Sequence, residues 1–228
     1  MVLFEDDYYI IVNKPPLLLV HPNKKLSNEK ENLMARVRDL INQPVNIINR
    51  IDRPVSGIVL FGKTSESVKL LKEQWHGPNI QKKYLGLVRT RFTEAGSFDF
   101  PLNSEKKILQ EALTKYTPLK LYETSTLLEI EVFTGRHHQI RRHFARSVRH
   151  LLGDRTYGKK KYNDYYRDQF GLERVFLHAH RFECIHPYTN EHIVINCPLP
   201  ADLSSTLELM NSELLENFTI PDYIELHG

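Results

Sequence analysis

Residues 49–61 run Asn49-Arg50-Ile51-Asp52-Arg53-Pro54-Val55-Ser56-Gly57-Ile58-Val59-Leu60-Phe61. The final four form a short apolar run entered through a glycine, the pattern of a buried central strand. The polar part ahead of it sets one aspartate, Asp52, between two arginines, Arg50 and Arg53. Neighbouring guanidinium groups favour the ionised carboxylate. An ionised carboxylate in a cleft can act as a nucleophile. Taken alone, the same residues also suit a turn closed by a salt bridge.

The flanking sequence alternates between strand and helix patterns. Residues 8–12 (YYIIV) read as a buried strand ended by Asn13-Lys14-Pro15-Pro16. Leu33, Val37, Leu40 and Ile41 recur at helical spacing within Glu31–Asn42. After the central strand, Thr64 or Ser65 caps a helix that runs to about Trp75, with Val68, Leu71 and Trp75 on one face. Gly77-Pro78 breaks it. Residues 81–89 alternate as a strand, with Lys82, Tyr84, Gly86 and Val88 opposed to Lys83, Leu85, Leu87 and Arg89. One face of this strand is expected to meet a cleft or solvent.

Residues 126–133 (TLLEIEVF) alternate cleanly, and Thr134-Gly135 turns the chain into a helix starting near His137. In that helix Ile140, Phe144 and Val148 are expected to face inward, with arginines around them. Strands follow over 175–184 and 192–196, joined through Pro187-Tyr188-Thr189-Asn190, and then a helix over about 204–217. Strands and helices mix without a regular βαβ alternation, so the fold class is α+β with a largely antiparallel sheet. No Pro/Gly/Ser-rich linker interrupts the chain, and one catalytic domain over 1–228 is expected.

Composition narrows the function. The chain has 228 residues, 41% of them apolar and 26% charged, which is ordinary for a globular protein. No apolar run reaches the ~18 residues of a membrane span, and the acidic start Met1–Asp7 is no targeting peptide. Two cysteines, Cys184 and Cys197, make no disulfide framework and fit reduced thiols in the cytoplasm. There is neither a CxxC pair nor an HExxH, so no metal site is expected. The net charge is only +3, but residues 200–228 hold six acids and no lysine or arginine. The remainder carries all 31 cations against 22 acids, a net of +9. Within it, residues 136–149 (RHHQIRRHFARSVR) hold five arginines, three histidines and no acid. Such a patch points to a polyanionic partner. On the 81–89 strand, Tyr84 suits stacking on a base, with lysines beside it for phosphates, but taken alone it better suits an ordinary strand aromatic.

Taken together and in order, these motifs resemble the RluA-type pseudouridine synthases. The carriers are the Asn13-Lys14-Pro15 strand end, Asn49–Gly57 (family HRLDxxxSG), Lys82-Lys83-Tyr84 (K-x-Y), Gly135–Arg141 (GRxHQ[IL]R), Gly153–Gly158 (GDxxYG) and His186-Pro187. The resemblance implies a pseudouridine synthase fold and isomerisation of uridine in RNA. The N1–C1′ bond breaks, the base rotates and rejoins through C5, with no metal or organic cofactor. Asp52 takes the place of the essential aspartate. Attack at C1′, attack at C6 and help in removing the 2′ proton all remain open for it. Arg141 matches the basic residue that pairs with that aspartate. Tyr84 matches the tyrosine stacked on the target base, and Arg50 the arginine that fills the space a flipped nucleotide leaves. Arg53, Lys82, Arg136, His138 and Arg142 complete the RNA-binding set.

One position departs: the family's histidine is Asn49 here. That position supports the loop, so activity is expected to survive. The nearest subgroup modifies a uridine in the T-arm stem of tRNA. The features favouring it are Pro54, the Ile80–Tyr84 run and the second arginine, Arg142. A small N-terminal S4-type RNA-binding module, carried by some relatives, is not expected. The other readings are a ribosomal-RNA pseudouridine synthase and a catalytically silent RNA-binding protein; a metal nuclease lacks a second carboxylate at the motif. A cytoplasmic monomer acting on RNA, with no membrane association, completes the expectation.

Overall fold

Each unit of this chain is built from antiparallel strands whose apolar residues were visible as runs or alternations. The computed structural model describes residues 1–22 and 31–212. In chain order the elements are β1 (Val2–Glu5), β2 (Tyr9–Lys14), α1 (Leu33–Ile41), β3 (Asn46–Ile47), β4 (Ser56–Gly62), α2 (Ser65–Glu73), β5 (Gln81–Arg89) and β6 (Gly96–Phe98). Then come β7 (Leu102–Asn103), β8 (Leu109–Gln110), β9 (Thr114–Leu121), β10 (Ser125–Val132), α3 (Gln139–Arg146), α4 (Lys160–Phe170), β11 (Leu177–Ile185), β12 (His192–Asn196) and α5 (Ala201–Ser212). The α+β class with a mostly antiparallel sheet is the one the sequence indicates. The chain forms two compact units, one of Met1–Gln81 with Arg181–Cys197, the other of Lys82–His180 with the residues from Pro198 on.

In the first unit β2 pairs antiparallel with both β1 and β4, and β3 adds to β4. All seven residues of β4 are buried, as its apolar run requires. The β2–β4 register sets Tyr9 opposite Gly62 and Lys14 opposite Gly57. Gly57 has φ 111, a value that side chains disfavour, so the strand can begin directly after the aspartate loop. The helix α1 is bounded by two asparagines. Asn32 accepts from the Ala35 amide at 3.0 Å, and Asn42 ends the helix in the left-handed region. Leu33 and Val37 are buried, but Leu40 is exposed, so the inward stripe is narrower than the spacing suggested. The helix α2 begins with a reciprocal capping box between Thr64 and Ser67. It ends at Glu73, before Trp75, which stacks on Phe182.

In the second unit β10 lies between β5 and β9, β6 extends β9, and β7–β8 form a separate small hairpin. Its core gathers Leu85 and Leu87 of β5, Leu127 of β10, Phe170 of α4, Phe176, and Leu203 and Leu207 of α5. The helix α3 starts two residues later than expected, because His138 stands in the left-handed region (φ 52) as its N-cap. It ends at Arg146, which leaves Val148 exposed beyond it and not inward as expected. The helix α5 starts at Ala201, earlier than the expected 204, directly after Pro198 and Pro200. Its expected extension to 217 and the acids Glu213, Glu216, Asp222 and Glu225 lie outside the described residues. No helix among the described residues is long and apolar enough to cross a membrane.

Candidate active site

The loop carrying Asp52 is pinned from within its own unit. Asn49, the departure from the family motif, accepts the Leu60 amide of β4 through Oδ1 at 2.7 Å. That bond ties the loop to the strand it precedes, which is the supporting role expected at this position. The Val55 amide donates to the Asp52 carbonyl at 3.0 Å, closing a turn at the aspartate. Ile51, Val55 and Ser56 are buried around it, while the Asp52 side chain stays half-exposed.

The other anchor is Lys14, fully buried at the end of β2. Its ammonium donates to the carbonyls of Pro15 (2.8 Å), Leu18 (2.9 Å) and Arg53 (3.1 Å). A buried ammonium is tolerated where such acceptors replace water. The Arg53 contact joins the start of the chain to the residue after the aspartate. Arg53 and Arg50 are themselves exposed. Arg53 Nε donates to the Leu17 carbonyl at 3.1 Å, and Arg50 Nη1 donates to His21 Nε2 at 3.0 Å.

Arg141 lies in the second unit. It is buried on α3 and held by a carboxylate the sequence reading gave no role, that of Asp154. Arg141 Nε donates to Oδ2 and Nη2 to Oδ1, each at 2.8 Å, a bidentate pair. The amides of Thr156 and Tyr157 also donate to Asp154 Oδ1, at 2.9 and 3.1 Å. Burial favours the neutral acid, but the Arg141 bonds and charge and these two amides outweigh it, so the Asp154 pKa falls. The Tyr157 ring lies 5.1 Å from the Arg141 guanidinium, and its hydroxyl is 2.9 Å from His138 Nδ1. Gly153 makes the turn possible: at φ 75, a Cβ there would sit 1.9 Å from the Arg174 carbonyl oxygen.

Gln139 was quoted only as part of a motif, yet it organises the entry to α3. Its Oε1 accepts from the Thr134 hydroxyl (2.7 Å) and the Arg136 amide (3.0 Å). Its Nε2 donates to the Leu113 carbonyl and the Thr114 hydroxyl, both at 3.0 Å. His143 continues this chain, with Nδ1 on Thr114 at 2.9 Å and Nε2 on the Phe100 carbonyl at 3.1 Å. A carbonyl only accepts, so Nε2 carries the proton and Nδ1 takes the threonine hydroxyl. Burial lowers the His143 pKa, so this histidine adds no charge to the patch at neutral pH.

The arginine patch is therefore less uniform than its sequence. Arg136 Nε donates to the Glu111 carbonyl, Arg142 Nη1 to Asn103 and His137, and Arg146 Nη1 to Pro101. Arg149 stacks over Phe92. These contacts keep the positive charge but commit the side chains to the 101–111 segment and its neighbours.

On β5, Tyr84 is half-buried and stands opposite Ile130 of β10. Lys82 is 9% exposed; burial pushes its pKa down to about 8 against the pull of Glu131. Lys83, on the other face, pairs with Glu129 at 2.9 Å, and His180 Nε2 lies 3.3 Å from the same carboxylate. Burial raises the Glu129 pKa, but bonds from His180 and Lys83 prevail and bring it down to about 2. Cys184 and Cys197 are both buried and neither is in a disulfide. Among the described residues no group of three or more His, Cys, Asp or Glu side chains is placed to hold a metal.

Asp154→Asn is expected to weaken the fold by about 3 kcal/mol, because it leaves a buried guanidinium without its counter-charge. The sign of the pH dependence follows from the lowered pKa. The pair's contribution is complete above the ordinary 3.8 of an aspartate and fades as pH falls through the depressed value. Calorimetry should therefore show a gap between wild type and variant at pH 7 that narrows toward pH 2.

Comparison with known proteins identifies the family. A family model described as RNA pseudouridylate synthase matches residues 8–146. A relative from Vibrio vulnificus named tRNA pseudouridine synthase C is 34% identical over 216 residues, covering 85% of this chain and 88% of that protein. One of the same name from Pasteurella multocida is 36% identical over 216 residues, covering 85% and 89%. The solved structure of human RNA pseudouridylate synthase domain containing 4 superposes with a TM-score of 0.76 at 21% identity, covering 92% of each chain, which shows the fold. A fold, a pinned aspartate loop and relatives spanning nearly the whole chain meet in one conclusion: this chain belongs to the RNA pseudouridylate synthase family and is an isomerase of uridine in RNA.

Proposed function

We propose that the chain isomerises a uridine in the T-arm stem of tRNA, working as one catalytic domain, a cytoplasmic monomer. The observation that carries the chemistry is a half-exposed Asp52 in a loop fixed at Asn49 and at Arg53. A reacting group gains from such pre-organisation because its geometry is set before substrate arrives. The tRNA substrate rests on the relatives named tRNA pseudouridine synthase C. Arg141 orients the Asp52 carboxylate in this reading. Tyr84 stacks on the target base, and Arg50 occupies the space vacated when the nucleotide flips out, a step costing a few kcal/mol. Arg53, Arg136, His138 and Arg142 meet the RNA backbone. A contact from Lys82, being buried, requires the RNA to enter the fold there. The chemistry asks for no metal or organic cofactor.

The test offers purified enzyme unmodified tRNA and unmodified ribosomal RNA at one salt concentration, with pseudouridine mapped in both. Modification in the T-arm stem is the expected result. Modification of ribosomal RNA alone would keep the chemistry and replace the substrate. RNA bound but unchanged in both arms would point to a silent binding protein.

A further inference from the structure

We propose that Lys159, Lys160 and Lys161, with Arg155 beside them, form a docking surface for the phosphate backbone of the substrate RNA. The proposal rests on the RNA-modifying activity and adds a contact region outside the 136–149 arginine patch.

Residues 155–163 (RTYGKKKYN) contain four cations and no acid. All three lysines are exposed at the start of α4, whose first turn contains no acid. Lys159 and Lys161 make no ion pair with any described residue. Lys160 pairs with Asp164 while its side chain remains 87% exposed. The Arg155 side chain is 78% exposed and 3.9 Å from Glu173, a weak contact in water. Asp164 and Asp168 lie further along α4 and are both engaged by Arg167. Arg155 also donates to the Glu173 carbonyl at 3.1 Å, so folding leaves Lys159 and Lys161 the least committed cations of the cluster, whereas Arg136, Arg142 and Arg146 are held on backbone carbonyls.

The cluster is also fixed with respect to Arg141. The Asp154 carbonyl accepts the Gly158 amide and the Asn163 side-chain amide, both at 2.9 Å. Asn163 Oδ1 in turn accepts the Gly153 amide at 3.0 Å. The first turn of α4 is therefore tied to the turn whose carboxylate grips Arg141. Phosphates held on the lysines would lie at a set distance from Arg141, so that backbone binding also registers the RNA against the site.

The test compares Lys159→Ala/Lys161→Ala with wild type and with a control pair, Lys69→Ala/Lys72→Ala, on the exposed side of α2. Lys160 stays, preserving its bond to Asp164. The probe is unmodified tRNA transcript titrated between 50 and 200 mM salt, with kcat measured at saturating RNA. The slope of log Kd against log salt should fall by ~1.4 to 1.8 for two lost contacts, with Kd rising ~10-fold at the lower salt. Melting temperature should match wild type, and the control pair should behave as wild type. An unchanged slope, or a slope loss equal to the control's, overturns the docking surface while leaving the activity intact. Wild type that neither binds nor modifies any RNA would instead overturn the reading on which the proposal rests.

Discussion

Asp52→Asn should stop isomerisation while leaving a folded protein that still binds RNA. The substituted amide has nearly the same shape but is neither a nucleophile nor a base. The loss should be ~10⁴-fold or more, the scale seen when one member of an acting catalytic unit is removed. The fold should tolerate the change because the Asp52 side chain is half-exposed and the loop hangs on other groups. Asn49 holds the Leu60 amide, and Lys14 holds the Arg53 carbonyl. Tritium release from 5-tritiated uridine in RNA measures the reaction, and circular dichroism the fold. Near wild-type release by the folded variant would remove Asp52 from the chemistry, whichever of its three possible roles is assigned.

The largest loss of stability is expected at Lys14. Lys14→Ala would leave three carbonyl groups without their shared donor and open a void where three methylenes and the ammonium were buried. Each orphaned acceptor costs ~1 to 3 kcal/mol, and the void adds to this; relief of burying an ammonium offsets part, leaving about 5 kcal/mol. For a chain of 228 residues this lowers the melting temperature by ~10 to 20 °C. Lys14→Met separates the two causes: it fills the void but donates nothing, so it should recover part of the stability and none of the hold on Arg53. Activity per folded molecule should therefore fall in both variants. A Met variant as active and as stable as wild type would show that the ammonium does not fix the loop.

The elements that sequence patterns revealed are those with a single decisive local cause. The β4 run is apolar because every residue in it is buried, and α2 begins where Thr64 and Ser67 cap each other. The strands β5 and β10 fall within one residue of the expected ranges, but β5 is buried on both faces over Leu85–Val88, so its alternation does not mark an open face. By contrast, α4 escaped notice because only Tyr166 and Phe170 of its eleven residues are fully buried, too sparse a stripe to stand out. Gly171, which ends it at φ 67, was the available clue. The strand β9 carries Pro118 and two lysines, and it forms because β10 supplies its partner. The loop, strand and helix that carry Asp52, Tyr84 and Arg141 were legible through motifs. The partnership of Arg141 with Asp154 was not, since a sequence shows that charges exist and not which pair excludes water. The same limit applies to residues 136–149, where a row of cations conceals one neutral histidine and several guanidinium groups committed to carbonyls.

The two buried thiols offer a means of watching one half of the molecule breathe. Burial pushes Cys184 and Cys197 up to about 12, so each is protonated at neutral pH and unreactive where it lies. Both belong to the unit that carries Asp52, and the chain has no other cysteine. Chemical labelling of the natural protein therefore times the opening of the aspartate-bearing unit alone, with no engineered probe and no background from the half that holds Arg141.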